Sequence, residues 1–162
     1  MIKKLILTTA VSLLLSIALQ AEEKAAVGMS TASYQLVVVK DKNGKAVKKW
    51  LKTSKVVPGD TIKYIDTITN DSDEVLKDAK ISNPINENLV FVESSAKSKA
   101  KFSTKYSVDG GKSYDEPSKL FVIGKDKKKR QATAKDYNAI QFSIHEVPPK
   151  SKVDVEFKVK IK

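Results

Sequence analysis

The alternation of apolar and polar residues is clearest near the C-terminal end of the chain. Val153, Val155, Phe157, Val159 and Ile161 are separated from one another by single polar residues. On a helix these side chains would scatter around the axis, whereas on a strand they share one face. The pattern therefore predicts a strand with one apolar and one charged face.

The same period of two recurs along the chain, interrupted by turn residues. Ile62, Tyr64 and Ile68 fall on one face of a second segment, and Asn43-Gly44 is a strong hairpin signal. The predicted strands cover residues 34–39, 46–51, 61–70, 76–82, 89–93, 102–108, 119–123, 137–144 and 153–161. About eight or nine short strands with regular turns are typical of an all-β, antiparallel, immunoglobulin-like sandwich.

Large apolar residues within these strands mark the expected core. We expect the following side chains to be largely buried: Trp50, Tyr64, Phe91, Phe142, Val155 and Phe157. Asp66 shares the face of Ile62, Tyr64 and Ile68, where an unpaired carboxylate would be costly. Three explanations stay open: a lysine or hydroxyl partner, a bulge that turns the side chain outward, or a bound cation.

The N-terminal segment has the pattern of a secretory signal peptide. A basic start at Lys3 and Lys4 precedes an uncharged run over residues 5–19, and a small residue, Ala21, comes soon after. The run is shorter than the roughly 20 residues of a membrane span, so cleavage after Ala21 is favoured over a retained anchor. The pattern predicts an exported protein that is periplasmic or secreted, with no anchor after cleavage.

Composition limits the chemistry and the size of the predicted mature chain. The chain has no cysteine, which excludes a lipid-bearing N-terminal cysteine, disulfides and a thiol nucleophile. Cleavage would leave 162 − 21 = 141 residues, enough for one domain with an adequate core. We expect a flexible, polar tail over residues 22–33 and a single domain over residues 34–162.

The charge is strongly positive. Of 30 basic residues, 28 lie after Ala21 together with all 19 acids, so the predicted mature chain carries 28 − 19 = +9. This favours an acidic partner such as an anionic polymer or membrane headgroups, and export argues against nucleic acid. The alternative is that lysines keep the surface soluble and guard strand edges. Arg130 is the only arginine, although specific phosphate recognition usually uses arginine.

Four segments, taken in order, resemble the bacterial surface-repeat family known as domain of unknown function eleven. They are Val57-Pro58-Gly59-Asp60-Thr61-Ile62-Lys63-Tyr64 continuing to Thr69-Asn70, residues 79–85 with 89–92 and 95–96, residues 107–114, and residues 134–142. The resemblance implies an immunoglobulin-like module of exported or surface proteins, structural or spacer in role, without catalytic residues. Members often occur as tandem repeats, whereas this chain carries one copy.

The chain departs from the family pattern at specific positions. Asn83 stands where the family usually has aspartate, Asn86 replaces a proline and Phe142 replaces a tryptophan. Asp66 occupies a position that is normally apolar in the family.

Residues with catalytic or metal-binding chemistry are sparse. His145 is the only histidine and has no nucleophile beside it in the sequence, so we expect no catalytic residue, no zinc site and no cofactor. Acids at 71–74, and at 109–111 with Asp115, could serve calcium, but neither segment has the spacing of a calcium loop. Asp, Asn and Gly are also the residues that tight turns require, and a turn role is favoured at both places.

The densest positive segment supplies the candidate binding residues. They are Lys125, Lys127, Lys128, Lys129 and Arg130, in a predicted loop over residues 124–130. They form either an anion-binding loop or a solvated loop without a partner. The sequence thus predicts a non-catalytic structural or interaction module of the envelope, with a basic surface that binds anionic polymers or headgroups as the alternative. It leaves the partner and the oligomeric state open.

Overall fold

The computed structural model describes residues 26–162. The predicted signal peptide and the first four residues of the predicted tail lie outside this range. The described strands are β1 (Val27–Lys40), β2 (Ala46–Lys52), β3 (Thr61–Asn70), β4 (Leu76–Pro84), β5 (Leu89–Phe91), β6 (Lys97–Ser98), β7 (Phe102–Ser107), β8 (Phe121–Ile123), β9 (Lys129–Gln131), β10 (Ala139–Val147) and β11 (Ser151–Ile161). A 3-10 turn covers Pro117–Lys119.

The strands form two main sheets and one separate hairpin. The large sheet has the order β2-β1-β3-β11-β5, with β6 also paired to β11. The small sheet has the order β4-β10-β7, and β8 pairs with β9 alone. Every strand pair is antiparallel, so the predicted all-β, antiparallel class is confirmed.

The core lies between the two main sheets. Phe157 of the large sheet and Phe142 of the small sheet have ring centroids 5.4 Å apart, and both side chains are buried. Tyr64 is partly buried and stacks on Phe157 at 5.3 Å. Phe91 and Val155 are buried as predicted. The apolar faces of the alternating strands therefore meet face to face, as in a β-sandwich.

Strand direction defines two ends of this sandwich. One end holds Asn70 of β3, which pairs with Val27 at the start of β1 and with Ser151 at the start of β11. We call it the Asn70 end. At the opposite end β3 begins at Thr61 and β10 begins at Ala139. We call this the Thr61 end.

Trp50 was predicted to be buried in the core, and this prediction is wrong. It lies on β2, opposite Leu36 of β1, and its ring faces Lys63 and Lys158 on the outer side of the large sheet. The two ammonium groups are 5.0 and 5.5 Å from the ring centroid, within the range of cation–π attraction. β2 is an edge strand, and no sheet packs over this face of it. The Trp50 ring is therefore only half-buried, and lysine side chains provide its cover.

The predicted tail over residues 22–33 is also wrong for its second half. Residues 27–33 belong to β1 and pair with β3, from Val27 opposite Asn70 to Ser33 opposite Tyr64. Small polar side chains give little strand signal, but their backbone groups complete the ladder beside a central strand. Two short strands, β6 and β9, were likewise absent from the sequence prediction, because their two and three residues are too few for a period to show.

Candidate functional site

The predicted basic loop is the end of a hairpin. β8 pairs with β9 through Phe121–Gln131, Val122–Arg130 and Ile123–Lys129. We call residues 121–131 the basic hairpin. Lys129 and Arg130 thus lie in a strand, not in the loop predicted over 124–130.

The tip of the basic hairpin is held by its own backbone. The amide of Gly124 donates to the carbonyl of Lys128 at 2.8 Å, and the amide of Lys127 donates to the carbonyl of Gly124 at 3.0 Å. The Asp126 carboxylate accepts from the amide of Lys128 at 3.1 Å. The single acid of the tip therefore serves the turn, as Asp commonly does in such positions.

Arg130 is engaged within the protein. Its guanidinium donates two hydrogen bonds of 2.7 Å to the carboxylate of Asp136, the bidentate geometry of a strong ion pair. The hydrogen bond from Arg130 is the main reason that the pKa of Asp136 lies well below its usual range. Asp136 lies three residues before β10, so this fork ties the hairpin to the Thr61 end. Arg130 therefore forms an ion pair within the protein, whereas none of the four lysines does so among residues 26–162.

The hairpin base continues into the core. Ala132 donates its amide to the carbonyl of Leu120 at 2.9 Å, and both side chains are buried. Tyr137 stacks on Tyr106 of β7 at 4.4 Å, and burial raises the pKa of both phenols. The base is therefore fixed, while the tip projects beyond it.

The four lysines of the predicted site stay available for a partner. Lys125, Lys127, Lys128 and Lys129 are exposed, and none forms an ion pair with any residue between 26 and 162. Lys129 instead places its ammonium 4.6 Å from the ring centroid of Phe121.

A second lysine-rich segment, which was not predicted as a site from the sequence, leaves the sandwich from the same end. β1 pairs with β3 up to Gln35, opposite Ile62, and then continues with β2 as a free two-stranded extension. We call residues 36–50 the arm hairpin. Its exposed lysines are Lys40, Lys42, Lys45, Lys48 and Lys49, and its one acid, Asp41, accepts hydrogen bonds from the backbone of its turn. The density of lysines in this segment could have marked it as a candidate site from the sequence. Only the fold shows that both hairpins leave the same end of the sandwich.

A shallow groove of about 470 Å³ runs along β6 and β11. Its lysines are Lys97, Lys99 and Lys152, and an adjoining depression adds Lys101 and His145. Acids balance them: Asp154 and Glu156 line the same groove. His145, an exposed residue, therefore lies in a mixed-charge depression.

The turns considered for calcium use their oxygens internally. Asp109 accepts hydrogen bonds from the hydroxyls of Ser113 and Ser107 and from the amides of Lys112 and Ser113. These bonds, that of the Ser113 hydroxyl first, lower the pKa of Asp109. At the other turn, Asp73 pairs with Lys150 at 3.1 Å. Within residues 26–162 no group of three or more acidic or histidine side chains is arranged to hold a metal ion.

Asp66 has two neutral hydrogen-bond donors. Its carboxylate is fully buried and accepts from the Thr31 hydroxyl at 2.6 Å and from the Asn83 side-chain amide at 2.7 Å. Of the three explanations for this residue, the structure therefore shows the hydroxyl partner, together with an amide that the sequence did not suggest. β1 supplies Thr31 from the segment predicted to be a flexible tail.

No protein-family model and no curated protein matches the chain. A crystal structure from Corynebacterium diphtheriae, described as a "putative membrane anchored protein", is 16% identical with a TM-score of 0.44. The match covers 87% of this chain and 29% of that one, so this chain spans less than a third of that protein. The resemblance to domain of unknown function eleven stays a prediction. Among residues 26–162 no helix has the length and apolar character to cross a bilayer.

Proposed function

We propose that the chain is an exported, non-catalytic interaction module of the cell envelope. Its fold is an immunoglobulin-like sandwich of the surface-repeat kind, and its Thr61 end binds a polyanionic surface. Two observations on the sequence support export and module character: the signal-like N-terminal segment and the four segments that resemble the surface-repeat family. The binding surface consists of lysines on the basic hairpin and the arm hairpin.

One structural observation carries this proposal. The basic hairpin presents Lys125, Lys127, Lys128 and Lys129 without an acidic partner among the described residues, while its one arginine is paired with Asp136. Like charges this close repel one another, and an anionic surface replaces that repulsion with attraction. The arm hairpin adds lysines from the same end of the fold. The groove, by contrast, contains its own acids and offers no comparable excess of charge.

Charge removal at the hairpin tip tests the proposal. We expect Lys127→Gln, Lys128→Gln and Lys129→Gln together to weaken binding to dextran sulfate and to phosphatidylglycerol vesicles on the order of 100-fold at low salt, since each lysine contributes about 1 kcal/mol near an anionic surface. The difference should shrink as salt rises, because exposed charges are screened beyond about 8–10 Å at physiological ionic strength. The melting temperature should stay unchanged, because these side chains are exposed.

The matched control removes equal charge elsewhere. Lys97→Gln, Lys99→Gln and Lys101→Gln lower the net charge by the same amount in the groove region, and we expect at most a several-fold loss of binding. Equal binding by the wild type and the hairpin variant would show that the hairpin lysines serve solubility alone. An equal loss in both variants would show that binding depends on net charge and not on this site.

A further inference from the structure

The basic hairpin has two chemically different faces. Side chains alternate along β8, so Phe121 and Ile123 point to one side and Val122 points to the other. Val122 packs against the core, and Arg130, its cross-strand partner, is tied to Asp136. The face with Phe121 and Ile123 is therefore the one turned away from the sandwich.

Two large apolar side chains on that outer face are exposed. Phe121 is 45% and Ile123 is 68% exposed, although the neighbouring Leu120 and Ala132 are buried and complete the core at the hairpin base. Phe121 and Ile123 therefore do not contribute to the packing of the core. Lys129 is the cross-strand partner of Ile123, and its ammonium lies over the Phe121 ring. One face therefore combines apolar groups with a cation, a pairing that suits a membrane–water interface.

We infer that the basic hairpin docks onto anionic lipid bilayers. In this arrangement Phe121 and Ile123 insert at the boundary of headgroups and acyl chains, while Lys125, Lys127, Lys128 and Lys129 contact lipid phosphates. The inference rests on the proposed function, because it names the anionic surface that the lysines meet. It selects a bilayer over a hydrated polyanion, because only a bilayer removes the two apolar side chains from water.

The fold sets the orientation of such a complex. The hairpin is tied to the Thr61 end, and β1 begins at the Asn70 end. Docking therefore places the start of β1 on the side of the sandwich away from the bilayer. The arm hairpin leaves from the docking end and brings further lysines toward the same membrane.

Removal of the apolar groups separates this inference from the proposed function. We expect Phe121→Ser with Ile123→Ser to weaken binding to phosphatidylglycerol–phosphatidylcholine vesicles at least about tenfold, because burial of two such side chains contributes strongly to interfacial binding. Binding to dextran sulfate, which has no apolar interior, should stay at the wild-type level. The control is Met29→Ser with Val75→Ser, which are 63% and 43% exposed and lie toward the Asn70 end; it should bind vesicles as the wild type does.

Each outcome has one meaning. Wild-type vesicle binding by the Phe121→Ser, Ile123→Ser variant overturns the bilayer inference and leaves lysine-mediated anion binding intact. Equal losses on vesicles and dextran sulfate also overturn it, because the apolar groups would then act through the hairpin's conformation. Undiminished binding of the lysine variant to both probes would instead contradict the proposed function. Competition by free inorganic phosphate would point to a small-anion site and against docking on lipid.

A fluorescence measurement tests insertion directly. Ile123→Trp in a Trp50→Phe background places the only tryptophan at the outer face of the hairpin. We expect its emission to shift to shorter wavelength on anionic vesicles and to be quenched by lipids brominated on their acyl chains. In the wild type, Trp50 lies under Lys63 and Lys158 on the large sheet and should escape quenching. An unquenched tryptophan at position 123 in the bound protein would refute insertion.

Discussion

The side-chain amide of Asn83 donates a hydrogen bond of 2.7 Å to the carboxylate of Asp66, and this bond joins the two sheets. Asn83 lies on β4 of the small sheet and Asp66 on β3 of the large sheet, where it is fully buried. An aspartate at position 83 would therefore bring a second carboxylate against that of Asp66.

Asn83→Asp is therefore expected to destabilise the domain by on the order of 2–4 kcal/mol at neutral pH, because two close carboxylates repel in a poorly solvated site. The loss should lessen as pH falls toward about 5, since protonation of the introduced carboxyl in the folded state relieves the repulsion. Urea unfolding at several pH values measures this. The exchange Asp66→Asn with Asn83→Asp restores one amide and one carboxylate and should recover most of the loss; failure to do so would contradict the pairing.

Phe157→Ala should destabilise the domain by about 3–5 kcal/mol, because it leaves a cavity between the sheets. The ring contacts Tyr64 and Phe142, with centroids 5.3 and 5.4 Å away. Trp50→Ala is the control at an aromatic position outside the core, and we expect a loss of about 1 kcal/mol or less. Equal losses in thermal or urea unfolding would mean that the faces of the large sheet are assigned wrongly.

Asn70→Asp should destabilise the Asn70 end by about 3 kcal/mol, because a carboxylate oxygen would replace a donor that faces backbone carbonyls. The Asn70 amide nitrogen lies 2.8 to 3.1 Å from the carbonyl oxygens of Glu74, Val147 and Pro148. It thereby joins the β3–β4 turn to the β10–β11 turn. Ser72→Ala removes a hydroxyl that bonds Asn70 and the backbone of Glu74 but leaves the carbonyl contacts of Asn70 in place, and it should cost less. Comparable losses would show that the carbonyl contacts are unimportant.

The Arg130–Asp136 pair should loosen only in acid. The pKa of Asp136 is lowered in the folded state from an ordinary value of 3.8, so the pair's contribution is fully present above that value. It is lost as pH falls through the lower folded value. The Thr133 amide, which donates to Asp136 at 2.8 Å, reports this by NMR. Asp136→Asn should show the loosened signal already at neutral pH, and a Thr133 amide that shifts between about pH 5 and 7 would contradict the assignment.

Export should remove the first 21 residues, because a small residue, Ala21, follows the uncharged run over residues 5–19. Mass spectrometry of the exported protein is expected to find Glu22 as the first residue. A full-length chain in the exported fraction would support a retained N-terminal anchor.

The alternation of apolar and polar residues was sufficient to predict the strands in which it is present. β3 covers residues 61–70 as predicted, and the alternation of Val155, Phe157 and Val159 placed the buried face of β11 correctly. The class of the fold and most of the core could be predicted as well, because a period of two reports which face of a strand meets the interior. The lysine-rich segment at 125–130 could also be identified from the sequence alone.

Only the tertiary structure decided features that depend on a neighbouring strand. Residues 27–33 become a strand because β3 offers them backbone partners, and Trp50 stays outside the core because β2 forms an edge. The Asp66 carboxylate accepts hydrogen bonds from Thr31, which lies 35 positions before it, and from Asn83, which lies 17 positions after it. The division of the basic hairpin into a tethered face and an outer apolar face likewise depends on Asp136 and the core beneath Val122. Sequence determines which side a residue points to within its strand, whereas the packing of strands decides what it meets there.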